Sequence, residues 1–144
     1  MSEEIFDKEK ITERIGDIKN AVLKLQKFKR MDIKEFSENP DNYSLAAFHL
    51  RIAIEAVLII GTHILSRIKE NGKQKDYTQI VLSLADYKVL PKDFAEKIKG
   101  MPGYRNRLVH LYWKIEPEEL LEIIKNNLDD FDTFIKYIET FAEL

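Results

Sequence analysis

The stretch from Leu45 to Leu65 is apolar on nearly every side, and this feature constrains the fold more than any other. Read at helical period, Tyr43 to about Ile68 forms one helix without a continuous polar face. Such a helix has to be covered all round, so it belongs at the centre of a bundle or at an interface between subunits. The coverings are present in the same chain. Ile5 to Phe28 carries apolar residues at 5, 11, 15, 18, 22 and 25, the single stripe of an amphipathic helix with Lys and Glu outside. Pro117 to Phe141 carries a second stripe at 120, 124, 128, 131, 135 and 138, with Glu118, Glu119 and Glu122 near its positive end. Sustained period-two alternation is absent, and five Gly with four Pro give little material for the turns of an all-β fold. The expectation is an all-α, up-and-down bundle of four main helices with short connecting helices.

Punctuation places the connections. Asp32 to Glu38 reads as a helical turn closed by Asn39-Pro40-Asp41-Asn42. Asn71-Gly72 suits a helix stop, and Asp76 suits the cap of a short helix through Leu84 or Ala85. Pro91 opens another, to about Lys99. Gly100-Met101-Pro102-Gly103 interrupts it, with helix resuming from Tyr104 to Val109. Without an internal repeat, low-complexity tract or linker, the 144 residues read as one domain spanning 1–144.

The formal net charge of −2 gives the chain no general attraction for nucleic acid or anionic lipid, so a phosphate site has to be a local patch. The absence of Cys excludes disulfides, thiolate zinc sites and a cysteine nucleophile, and fits a reducing cytoplasm. Met1-Ser2-Glu3-Glu4 is acidic and lacks the basic start of a signal peptide. The apolar run Ile52 to Ile60 contains Glu55 and is far shorter than a membrane span, so a soluble, cytoplasmic protein is expected.

One window departs from the acidic balance. Lys97 to Ile115 carries Lys97, Lys99, Arg105, Arg107 and Lys114 with no Asp or Glu, whereas residues 116–144 carry nine acids and two lysines. Such a window is either a phosphate site or a solvated basic face balancing the last helix. Inside it lie Arg105, Asn106, Arg107, His110 and Tyr112. Arg holds phosphate with a planar pair of donors, and His is matched to proton transfer near neutral pH. Together they suffice for RNA cleavage without a metal, the ribose 2′-hydroxyl attacking its own phosphate while Arg stabilises the developing charge. His110 is otherwise a satisfied structural residue. On an ideal helix Arg105 and Tyr112 stand only about 20° apart, whereas His110 is about 140° round from Arg105. One straight helix therefore does not aim all three into one site. Either the helix ends or bends near Val109, or a second subunit completes the site, as a twofold dimer would allow; both together are expected.

With Arg105, four residues, His110, one residue and Tyr112, the chain resembles the HepT branch of the HEPN superfamily, whose signature is Arg-x4-His-x-Tyr. The resemblance runs over nearly the whole chain, through Phe36-Ser37-Glu38-Asn39-Pro40, Ile54-Glu55-Ala56, Thr62-His63 and Met101-Pro102-Gly103-Tyr104. It implies a helical homodimer that cleaves RNA without metal or cofactor, with Arg105 and His110 as the catalytic pair. It also implies an MntA-type nucleotidyltransferase antitoxin that transfers AMP from ATP to Tyr112. Asn106 and Arg107 are read as substrate-binding, Glu55 as orienting a basic group and His63 as structural, whereas His49 lies outside the resemblance and is a packing or surface residue. Tyr104 and Trp113 are either base-stacking platforms or core aromatics. The competing expectation is a non-catalytic HEPN subunit that binds nucleotide or accompanies a nucleotidyltransferase.

Overall fold

The computed structural model describes residues 6–68 and 76–144. Ile5, expected to start the first apolar stripe, and the Asn71-Gly72 stop lie outside the described residues. Seven α-helices follow in order: α1 (Lys8–Lys29), α2 (Ile33–Glu38), α3 (Pro40–Ile68), α4 (Tyr77–Asp86), α5 (Lys92–Ile98), α6 (Met101–His110) and α7 (Pro117–Ala142). A 3₁₀ turn, Tyr112–Lys114, joins α6 to α7. Strands are absent among the described residues.

Three aspartates set helix starts by the same device. The Asp7, Asp32 and Asp76 side chains accept from the backbone N–H groups of Lys10, Glu35 and Gln79, at 3.0, 2.8 and 2.9 Å. Each satisfies a donor that the first turn leaves without a helical partner. At α3 the cap is Asn39, whose side chain accepts from the Asp41 N–H at 3.0 Å. Pro40 then occupies the first helical position, where its missing N–H costs nothing. The expected start at Tyr43 is therefore three residues late. Similarly, Pro102 and Gly103 do not delay α6, which begins at Met101 with the proline in its first turn.

The core follows the two stripes. Ile11, Ile15, Ile18, Val22 and Leu25 of α1 are buried, as are Leu120, Ile124, Leu128, Phe131, Ile135 and Ile138 of α7. Both helices pack on α3, which also touches α2, α4 and α6. Gly61 of α3 lies where an added Cβ would come within 3.1 Å of Leu84 Cδ1, so the small residue lets α4 approach closely. By length, and by a mean hydropathy of 1.7 in its most apolar window, α3 would also suit a membrane span. The expectation that the apolar run falls well short therefore does not hold for the whole helix. Half of that window is buried against the other helices, which accounts for its composition.

Burial of α3 is incomplete in one direction. Leu45, Phe48 and Ile59 are more than a third exposed, and with Ile52 and Glu55 they follow a spacing of three and four along one face. The bundle centre and the uncovered face thus belong to the same helix.

Candidate functional site

Helix α6 packs on α3 and buries only Pro102 and Leu108, so most of its side chains are available at the surface. Arg105 reaches the uncovered face of α3. Its Nε and Nη2 each lie 3.1 Å from Glu55 Oε2, and Nη1 donates to Asn106 Oδ1 at 3.2 Å. Glu55 holds a second cation: Arg51 Nη1 is 3.1 Å from both of its carboxylate oxygens. Arg51 in turn lies over the Phe48 ring, 5.4 Å from its centroid. One carboxylate therefore fixes two guanidinium groups, and the cluster keeps a net positive charge. Asn106 is exposed beside it.

Arg107 points elsewhere. Its Nη1 and Nη2 meet Glu119 Oε2 and Oε1 at 2.6 and 3.0 Å, a two-pronged pair that braces α6 against α7. The guanidinium also covers the Tyr104 ring at 5.3 Å. Tyr104 belongs to the packed side of α6: its ring lies against the core, and burial, with Glu119 next in weight, pushes the phenol pKa up.

Helix α6 is continuous from Met101 through His110. It leaves helical geometry at Leu111, with φ −135° and ψ 27°. The end therefore falls one residue beyond Val109, near the expected place, with His110 still inside the helix. Arg105 and His110 remain on one helix, about 140° apart around its axis, and the bend offered as one way to unite them is absent. His110 is exposed on the last turn.

Beyond it, Leu111, Tyr112 and Trp113 stand 41, 51 and 65% exposed, an apolar cluster at the surface. Trp113 is thus not a core aromatic; its ring meets Tyr112 edge-on at 5.7 Å. The turn is anchored at its far end by buried Ile115 and by Tyr43 of α3. The Tyr43 hydroxyl sits 2.5 Å from the Tyr112 carbonyl oxygen and 2.6 Å from that of Ile115, sharing one proton between two acceptors. Burial raises the Tyr43 pKa, as do the Glu116 and Glu119 carboxylates. Sequence reasoning missed Tyr43, Arg51 and Glu119. Arg51 had a local signal, lying four residues before Glu55 on one helix. Tyr43 had none, since its acceptors lie 69 and 72 residues away.

The other two histidines serve the fold. His63 Nε2 accepts the Asp7 N–H at 3.0 Å, tying the start of α1 to α3. Burial, then Arg67 and Lys10, lowers its pKa, which keeps it a neutral acceptor. His49 packs edge-on against Phe48, and burial with Lys24 and Lys27 nearby lowers its pKa too. Among the described residues, no three His, Asp or Glu side chains gather as a metal site would require.

Comparison with known proteins agrees with this architecture. A HepT protein of Aphanizomenon flos-aquae, named a tRNA nuclease, is 26% identical over 117 residues, 81% of this chain and 79% of its own. One of Shewanella oneidensis, named an mRNA nuclease, is 24% identical over 129 residues, 90% of this chain and 96% of its own. A structure of the tri-AMPylated Shewanella oneidensis HEPN toxin with its MNT antitoxin superposes with a TM-score of 0.79. It is 24% identical and covers 91% of this chain and 97% of its own. The family profile described as Ribonuclease HepT-like matches residues 18–138, most of the bundle and all of α6 with the turn after it. The chain therefore belongs to the HepT-like ribonuclease family.

Proposed function

We propose that the chain is the RNA-cleaving toxin of a toxin–antitoxin pair, working as a cytoplasmic homodimer in which Arg105 and His110 face each other across two copies. The observation that carries this is the unbroken α6. Two catalytic groups about 140° apart on one straight helix serve one phosphate only when another copy supplies the second group. The uncovered α3 face supports the dimer, because Leu45, Phe48 and Ile59 are left for another surface and Glu55, which holds Arg105, lies among them.

In this reading the ribose 2′-hydroxyl attacks the adjacent phosphorus. The P–O5′ bond breaks, leaving a 2′,3′-cyclic phosphate and a 5′-hydroxyl. The other copy's His110 imidazole accepts the 2′ proton and, once protonated, passes a proton to the departing oxygen. Arg105 carries the charge of the pentacoordinate phosphorus, with Glu55 fixing its plane and Asn106 beside it for the substrate. No step requires a metal. Arg107 contributes to phosphate binding only by exchanging Glu119 for it.

Tyr112 is the proposed acceptor of AMP from an MntA-type nucleotidyltransferase. Its hydroxyl attacks the α-phosphorus of ATP and pyrophosphate leaves. Half-exposed and two residues from His110, it is open to such an enzyme, and the added phosphates would mask the cationic site. The Shewanella oneidensis HEPN toxin, tri-AMPylated and in complex with an MNT antitoxin, supports AMP as the added group.

The test is incubation of purified protein with total RNA in excess chelator, beside Arg105→Ala and His110→Ala. Cleavage that yields cyclic phosphate ends and disappears in both variants is expected. An intact dimer that leaves RNA uncut would overturn the reading in favour of a non-catalytic nucleotide-binding subunit.

A further inference from the structure

Beyond Glu55, the same face of α3 runs into a cleft of about 510 Å³, a volume in the range of small-ligand sites. Its walls come from four helices: Lys10 of α1, Thr62 and Ser66 of α3, Tyr77 of α4, and Arg105 of α6. Among the described residues Glu55 is the one carboxylate lining it, and it is already matched to Arg51 and Arg105. Tyr77 is 43% exposed, which leaves ring surface free for contact. Ser66 donates its proton to the His63 carbonyl at 2.7 Å, so its oxygen remains an acceptor. His63 also lines the cleft but is occupied by the Asp7 N–H and contributes no charge. The catalytic scheme above uses none of Lys10, Thr62, Ser66 or Tyr77.

We propose that this cleft is a nucleotide subsite: a phosphate lies between Lys10 and Arg105, the ribose faces Thr62 and Ser66, and the base stacks on Tyr77. The assignment rests on the ribonuclease reading for the position of the cleaved phosphate at Arg105. Its ligand is a nucleoside monophosphate unit, and the shape serves either one residue of an RNA strand or a free mononucleotide. Cationic side chains beside an aromatic wall are the combination that binds single-stranded nucleic acid without reading sequence. The subsite would fix which side of the cut the enzyme grips.

The experiment measures binding apart from cleavage. A fluorescent 2′-O-methyl RNA decamer, which has no 2′-hydroxyl to react, is titrated with the full chain, and AMP is added as competitor. Tyr77→Leu is expected to weaken binding about 5- to 150-fold, the value of one base stack, while Tyr77→Phe stays within about twofold of wild type. Lys10→Ala is expected to weaken binding and to reduce the salt slope by about 0.7, the loss of one phosphate contact on a single strand. Both positions are at the surface, and a melting curve for each variant checks that the fold is kept. Displacement by AMP assigns the cleft to free mononucleotide as well, whereas binding of the decamer that AMP does not displace assigns it to the strand. The proposal is overturned when Tyr77→Leu and Lys10→Ala both bind as wild type, or when wild type binds neither probe. Cleavage that requires Arg105, together with binding indifferent to Tyr77 and Lys10, removes only the subsite. Tyr77-dependent binding without cleavage removes only the ribonuclease reading.

Discussion

Helix α7 and the segment from α6 through the turn at residue 115 are joined by the Arg107–Glu119 pair, yet they are built on opposite rules. In α7 every position of the apolar stripe is buried and its first turn carries Glu118 and Glu119. In α6 two residues of ten are buried, and three successive apolar residues after it stand in solvent. Burial enforces a period, because a polar residue facing the core leaves its hydrogen bonds unmet. A surface segment is under no such constraint and is free to collect charge and aromatics for other ends. The difference teaches where to look: stability should be concentrated in α7 and chemistry in α6.

The sharpest break of that comparison pairs one substitution from each side. His110→Ala is expected to lower RNA cleavage about 10²- to 10⁴-fold, the usual worth of a proton-transfer group. Because the residue is exposed, its melting curve should coincide with that of wild type. Phe134→Ala, at a fully buried position of α7, is expected to cost about 3–5 kcal/mol of stability in denaturant titration. At temperatures where the variant is still folded, its cleavage rate should be near wild type. If His110→Ala melts early, or folded Phe134→Ala is inactive, the division between the two regions is wrong.

The same rule explains what was legible beforehand. From Ile11 onward the stripe of α1, and the whole stripe of α7, were readable in the sequence, as their burial shows. The α3 pattern announced a helix needing cover on all sides, and its uncovered face is the one direction the single chain does not supply. The motif residues Arg105, Asn106, Arg107, His110 and Tyr112 stood out by residue type and spacing alone. Their contacts were not readable. Arg105 and Arg107 are two residues apart in one basic window, and nothing local tells that one turns to Glu55 and the other to Glu119. Those partners lie 50 and 12 residues away and are set by how the helices pack. The start of α6 was misplaced for a different reason, since Pro and Gly in a first turn read as a break when no side chain shows the direction of the chain.

Glu55 sits between the two regimes, a charged residue on the central helix, and its substitution sharpens the comparison at a middle magnitude. Glu55→Gln keeps the shape but leaves Arg51 and Arg105 without their shared carboxylate. If Glu55 positions Arg105, kcat is expected to fall about 10- to 100-fold with less change in KM, the cost of a misplaced catalytic group. A rise in activity would make the carboxylate a competitor for the guanidinium instead of its support, and an unchanged kcat would remove it from the site altogether.

The smallest expected effect tests whether the exposed turn is ordered by the bundle at all. Tyr43 is the one contact by which α3 grips the backbone carbonyls of Tyr112 and Ile115 through a side chain. Tyr43→Phe removes that donor and should cost about 0.5–1.5 kcal/mol, the net worth of one hydrogen bond. The pH dependence separates this from lost packing. With its folded pKa raised above the ordinary value of 10.0, Tyr43 contributes its full stability below that pH and loses the contribution as the pH climbs past it. Tyr104 is raised as well, so both proteins lose stability there, and the variant should lose less. Amide exchange at Lys114 and Ile115, whose N–H groups bond within the turn, should quicken in the variant. Transfer of AMP to Tyr112 should slow, because an acceptor on a loosened turn is presented in fewer productive orientations. Exchange and transfer both equal to wild type would mean that the buried anchor at Ile115 alone orders the turn, and that the functional segment owes its shape to packing after all.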